Sequence, residues 1–362
     1  MNKVRYDNFY FPLIFFFSFV VILLLINFPD VVSSGISCGL SLCANTLIAS
    51  MFPFFVLSSF LLRTGAVEYM GKFFDKFSRK VFKLSGNAFT VFFISIFSGF
   101  PVGAKLVSSM LDDKKISLSQ SSRLMCCCIN AGPAFVISAV GNSMLSNRKA
   151  GLIIFVSLSL SALLILYFSK YFVADDDEFL FSTPKRESLS SCFVKSVSDA
   201  TESILAVCGF VIVFSSFSYA LKDSARIITL FLEVSIGCEY ATKNFDLPIV
   251  AGVIGWSGFC VHCQVFHSVI KCNMKKILFF FCRALHGALS AVLCALLVKA
   301  FPCPVSVFAN SSENVQQLFK SNAPATAGLL LMCAILIFDF EESRNNKSQT
   351  FKSLKKVKIL RK

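Results

Sequence analysis

The 362-residue chain is 55% hydrophobic and 15% charged, against roughly a quarter charged residues in an ordinary soluble domain, so water is not its main solvent. Its formal charge of +14 sits in short connectors and at both ends, which argues against nucleic acid as a partner and for a lipid bilayer with a basic cytoplasmic side. Fifteen cysteines would suggest a disulfide framework in a short secreted chain, but most fall inside apolar blocks, where a thiol acts as a small buried hydrophobe.

The apolar blocks run, in chain order, over 10–28, 36–62, 88–110, 151–172, 204–221, 248–270 and 277–298. Each has the length that crosses about 30 Å of hydrocarbon at about 1.5 Å per residue. The first follows Lys3 and Arg5 like a signal sequence, yet it is long and lacks a small-x-small cleavage site, so 1–35 is read as a retained transmembrane helix. Segment 65–86 alternates Val67, Met70, Phe73, Phe74, Phe77 and Val81 with Lys72, Lys76, Arg79 and Lys80 at helical spacing, the pattern of an amphipathic helix on the cytoplasmic surface. Its counterpart 225–243 is more apolar and is expected to cross.

Aligned with itself, the chain matches LIASMFPFFVLSSF at 47–60 to ILAVCGFVIVFSSF at 204–217, and SGFPVGAK at 98–105 to SGFCVHCQ at 257–264. Two matches at nearly one offset argue for a duplicated unit; the alternative is chance among Phe- and Ser-rich membrane segments. The units then span 36–172 and 197–340, joined by a polar, Pro-containing linker at 173–196 and followed by a basic tail at 341–362. That tail holds Arg344, Lys347, Lys352, Lys355, Lys356, Lys358, Arg361 and Lys362, which places the C-terminus in the cytoplasm. If 88–110 and 248–270 are re-entrant hairpins opening to the cytoplasm, the units form an inverted repeat; if both cross fully, the units are parallel.

Charges within apolar blocks are costly, about 2.5 to 3.5 kcal/mol each on insertion scales, and so mark candidate sites. Lys105 follows SGFPVGA and either faces a ligand or snorkels to the interface. Glu233 interrupts IITLFLEVSIG and needs a cation, a proton or a coupling ion, or else forms a structural ion pair. Arg123 and Arg283 open the fourth elements of the two units as anchors or ligands. Gly99, Pro101 and Gly103 in one unit, Gly255 and Gly258 in the other, and Asn130, Gly132 and Pro133 between them are where helices would break. Broken helices free amides and carbonyls for binding, although close packing or simple kinks use the same residues. Cys260 and Cys263 lack a second ligand pair, so no metal or cofactor is expected, and His262, His267 and His286 are expected to be satisfied interior residues. No catalytic triad or phosphate-binding loop stands out, and the chain is not expected to be an enzyme.

Taken in order, SGFPVGAK at 98–105, NAGPAF at 130–135, LEVSIG at 232–237, SGFCVHCQV at 257–265 and RALHG at 283–287 resemble the YlbJ-type sporulation integral membrane proteins, within the nucleoside-recognition or Gate-domain superfamily. The resemblance covers roughly residues 40–300. It implies a membrane protein of the outer forespore membrane, associated with passing dipicolinic acid toward the developing spore. Carried over position by position it touches Gly99, Pro101, Gly103, Lys105, Asn130, Pro133, Glu233, Gly258, Gln264 and Arg283 as substrate-binding residues, and it departs from the pattern at Cys260, His262 and Cys263.

The expectation is therefore an all-α polytopic membrane protein of about 8–10 transmembrane or re-entrant segments in two related, inverted repeats. It would carry a small anion, with Lys105, Arg283 and broken-helix amides replacing the anion's water and Glu233 serving a coupling ion. The alternative is a non-transporting scaffold for spore cortex or envelope assembly, recruiting other sporulation membrane proteins.

Overall fold

The structure, a computed structural model, describes residues 28–172, 188–221, 226–269 and 276–302, with isolated positions between 15 and 27. The basic tail, most of the linker, the end of the second unit and most of the N-terminal block lie outside the described residues. Every regular element among the described residues is helical. Five helices are long and apolar enough to cross a membrane: α1 (Pro29–Arg63), α7 (Arg148–Ser169), α8 (Leu189–Ala220), the interrupted Leu247–Ser268, and α13 (Lys276–Ala300). Shorter helices complete the fold: α2 (Ala66–Phe82), α3 (Gly86–Ser98), α4 (Val102–Asp112), α5 (Leu118–Cys127), the π-helical α6 (Ala134–Met144), α9 (Arg226–Leu232) and α10 (Val234–Asn244). Within Leu247–Ser268 the chain forms α11 (Leu247–Trp256) and α12 (Gly258–Ser268).

Local chemistry sets the starts of these helices. Pro29 opens α1 and Pro248 lies in the first turn of α11, where a missing N–H costs nothing. Ser85, Ser117, Asn147 and Ser188 cap α3, α5, α7 and α8 by accepting from amides of the first turn. Two boundaries differ from the sequence reading. Because α1 runs unbroken from Pro29, the division at 35 falls inside a helix, and because α8 begins at Leu189, the last part of the expected linker is helical.

The leading helices of the two expected units pack antiparallel. Gly35 and Gly39 of α1 lie against the Cα atoms of Ser216 and Ile212, where no Cβ fits. At the other end, Arg63 meets Cys192 and Asp199. Small residues at such seams let backbones approach closely where lipid removes any hydrophobic gain between helices.

Both Gly-interrupted segments are broken where the sequence placed the interruption. Between α3 and α4, Gly99 takes φ 78°, a conformation that favours glycine, and the Phe100–Pro101 peptide is cis. Between α11 and α12, Ser257 and Gly258 both take φ 75°. A third break, over 128–133, separates α5 from α6. The fourth overturns an expectation: 226–244 does not cross as one helix, because Glu233 adopts extended backbone (φ −130°, ψ 125°) and divides it into α9 and α10.

Helix α2 turns 94° from α3. Val67, Gly71, Ser78 and Phe82 are buried, while Tyr69, Phe73 and Phe77 are exposed on a helix that also exposes Lys72, Lys76 and Lys80. Aromatic and basic side chains together suit the headgroup level of a bilayer.

Candidate functional site

A cavity of about 490 Å³ opens among α1, α4, α8 and α12. These are the two leading helices and the second halves of the two broken segments, one of each from either unit. Its size falls in the range of small-molecule sites, about 300 to 1,000 Å³. Pro101, Lys105 and Gln264 line it. Lys105 and Gln264 are also the residues that the alignment of SGFPVGAK with SGFCVHCQ pairs with each other.

The Lys105 ammonium reaches across to α8. It donates to the main-chain oxygen of Asp199 at 2.9 Å and to Ser203 Oγ at 2.5 Å. Ser203 Oγ donates to that same carbonyl at 2.6 Å, and the helical ladder directs the Ser203 amide there as well. Lys105 is thus a third donor to an oxygen with two lone pairs, and both of its acceptors are neutral. Its charge is left without a carboxylate in direct contact.

The second basic group of the cavity, Arg63, is held differently. Its Nε and Nη2 donate to Asp199 Oδ2 at 2.9 and 2.7 Å, and Ser59 Oγ donates to the same oxygen at 2.6 Å. Asp112, Asp113 and Glu202 also line the cavity. The lining therefore carries four carboxylates, Asp199 included, against two cations.

The remaining expected site residues lie outside this cavity, in a belt where the four breaks meet. Gly99 packs against Gly132, and Gly258 against Leu232 and Val234. Gly103 is pressed onto the carbonyl of Cys128. Asn130 donates to the Cys127 carbonyl at 2.8 Å, and Pro133 opens α6. The Glu233 carboxylate caps α10 by accepting from the Ile236 amide at 2.8 Å. A carboxylate at a helix N-terminus is stabilised by the amide and by the positive end of the macrodipole.

Arg283, fully buried, donates through Nη1 to the Ile129 carbonyl at 2.7 Å, and through Nη2 to the Gly255 carbonyl and to Ser257 Oγ at 2.6 Å. It joins the α5–α6 break to the α11–α12 break, with His286 packed beside it. That placement makes it a clamp on main-chain carbonyls, outside the lining of the cavity.

Sequence reasoning missed Arg63, Asp199 and Glu202. All three lie at or beyond the ends of apolar blocks and read as flanking charges. The available signal was Ser58-Ser59-Phe60, which recurs at Ser215-Ser216-Phe217 and lies one turn before Arg63.

A helical architecture with interrupted spans around a polar cavity is that of a polytopic integral membrane protein. Residues 44–171 match the Gate family, described as nucleoside recognition. That stretch holds Arg63 and Lys105, whereas the α8 and α12 walls lie beyond it. Across 89% of its length, and 94% of its relative's, the chain is 23% identical to the sporulation integral membrane protein YlbJ of Bacillus subtilis (strain 168). The chain is thus similar to a Gate-domain protein over about a third of its length and to a sporulation membrane protein over most of it. No solved structure matches it.

Proposed function

We propose that the chain acts in sporulation by carrying a small carboxylate anion, dipicolinate first among the candidates, across the outer forespore membrane. One observation carries the reading: Lys105, on the half-helix behind a break, faces a ligand-sized cavity with its charge held only by neutral oxygens. A carboxylate replaces such acceptors with a charge-assisted bond of roughly twice the strength. A nucleoside, the ligand in the family's description, is uncharged and gains no such advantage.

The acidic side chains around Lys105 bear on how an anion would move. With more carboxylates than cations in the lining, an anion enters more readily with a cation or with protons, which is the charge balance of a symporter. The antiparallel leading helices fit two inverted units that rock about the cavity, and the break belt supplies hinges. The basic tail puts the C-terminus in the cytoplasm by the positive-inside rule. No catalytic step is assigned.

The test is uptake of labelled dipicolinate into proteoliposomes holding the purified chain, with uridine as the uncharged comparison. Dipicolinate should be taken up and uridine should not, and Lys105→Gln should reduce the flux about tenfold or more, the loss of about one charge-assisted bond. Uptake that Lys105→Gln leaves untouched would overturn the reading.

A further inference from the structure

We infer that Asp199 is a built-in competitor for the ligand's carboxylate, and that the full anion site is Arg63 with Lys105, closed by Asp199 while the cavity is empty. The inference rests on the anion reading above and adds residues that neither the sequence motifs nor the family match singles out.

One residue of α8 holds both cations of the cavity. The Asp199 carboxylate takes Arg63, and the Asp199 main-chain oxygen takes Lys105. Only the first is an ion pair; the Lys105 ammonium rests on a neutral main-chain oxygen. Ser59 and two nitrogens of Arg63 all donate to one oxygen of the carboxylate, Oδ2. This is the donor set that an incoming carboxylate would use: a hydroxyl, a guanidinium edge and, beside them, an ammonium.

The pair is not alone in holding α1 to α8. That seam already packs backbone to backbone at Gly35 and Gly39, and Phe60 meets Phe193 edge to face. The Arg63 and Asp199 side chains are about a third exposed, at 31% and 28%. They therefore sit where a ligand can reach them. A partly exposed pair inside a ligand-sized cavity can be exchanged: the ligand's carboxylate takes Arg63 while Asp199 swings to water. Such an exchange would let the site release its cargo, because the protein refills Arg63 as the anion leaves.

Equilibrium binding of dipicolinate to the full chain in lipid nanodiscs tests this. Asp199→Asn keeps an oxygen for Ser59 but removes the rival charge, and it should tighten binding about fivefold, equivalent to about 1 kcal/mol. Asp199→Ser, a second route to the same vacancy, should tighten it as well. Arg63→Gln should weaken binding, and in that background Asp199→Asn should no longer tighten it. The inference fails if Asp199→Asn and Asp199→Ser leave affinity unchanged or lower it, or if the tightening persists without Arg63. Lys105-dependent binding with no response to Asp199 overturns this inference alone. Binding that is absent, or indifferent to Lys105, in the wild type and in both Asp199 variants overturns the anion reading with it.

Discussion

Replacing Gly103 by alanine tests whether the break belt sets the position of the cavity wall. A Cβ at this position would stand 1.9 Å from the Cys128 main-chain oxygen and 2.9 Å from its carbonyl carbon, where ordinary contact begins at 3.4 Å. The obstacle is backbone, so relief requires α4 to move about 1.5 Å away from the α5–α6 break. Overpacking of this kind costs about 1–3 kcal/mol, or more where neither side yields. At roughly 2 °C per kcal/mol for a chain of this size, the melting midpoint in detergent should fall by roughly 2–6 °C. The functional effect should exceed the stability effect. Lys105 follows two residues later on the same half-helix, and displacements near 1 Å disable positioned groups by about two orders of magnitude in enzymes. Dipicolinate uptake by folded, reconstituted Gly103→Ala should therefore drop at least tenfold. Wild-type melting and wild-type flux in this variant would refute the claim that the Gly103–Cys128 contact fixes the site.

Gly209 of α8 is the control, since a Cβ there meets nothing within 4 Å; Gly209→Ala should leave flux unchanged and raise stability by up to about 1 kcal/mol through helix propensity, measured by the same melts. Lys115, 10% exposed, pairs with Glu68 at 2.5 Å and Asp113 at 3.1 Å, so Lys115→Met should cost about 3–5 kcal/mol by stranding a buried carboxylate, and adding Glu68→Gln should restore much of the loss. Burial alone would lower the Lys115 pKa, but Glu68 and Asp113 together raise it above its ordinary 10.5. Its stabilisation is then fully present below pH 10.5 and is lost as pH rises through the raised value; melts of the wild type against Lys115→Met should differ by a constant margin from pH 6 to 9 and converge only in strong alkali. Deleting residues 343–362 should leave most dipicolinate flux in proteoliposomes, whereas a scaffold acting through its basic tail would lose its function in sporulating cells.

The interrupted segments were legible because glycine and proline act locally. Gly99 and Gly258 adopt positive φ, and Pro101 ends whatever helix precedes it, so type and spacing alone located the breaks. What the breaks pack against was not legible. That Gly99 meets Gly132 and that Arg283 reaches Ile129 depend on tertiary approach across 33 and 154 positions of the chain, for which a single sequence carries no local signal. Glu233 was legible as an anomaly but its role was not. That a glutamate inside an apolar run caps a helix is seen only when the helix starts again at Val234.

The same ambiguity governs the basic residues, and the structure separates them by what they touch. Arg123 and Arg283 stand 160 positions apart, close to the spacing of the two internal matches. Both are fully buried and both donate to main-chain oxygens: Arg123 to those of Phe82 and Lys83, Arg283 to those of Gly255 and Ile129. Phe82 and Gly255 lie in the last turns of α2 and α11, where a helix leaves its final carbonyls unbonded and its macrodipole negative. A guanidinium, with five donors in a rigid planar fork against the three of an ammonium, spans several such oxygens at once. Lys105 and Arg63 differ in kind. The first rests on oxygens already engaged, the second on a partly exposed carboxylate, so both can change partner without leaving a buried carbonyl unsatisfied. Exchangeability, not charge or depth in the apolar sequence, is what marks a ligand site here, and it predicts that Arg→Lys substitutions at 123 and 283 act on stability first, whereas substitutions at 63 and 105 act on affinity.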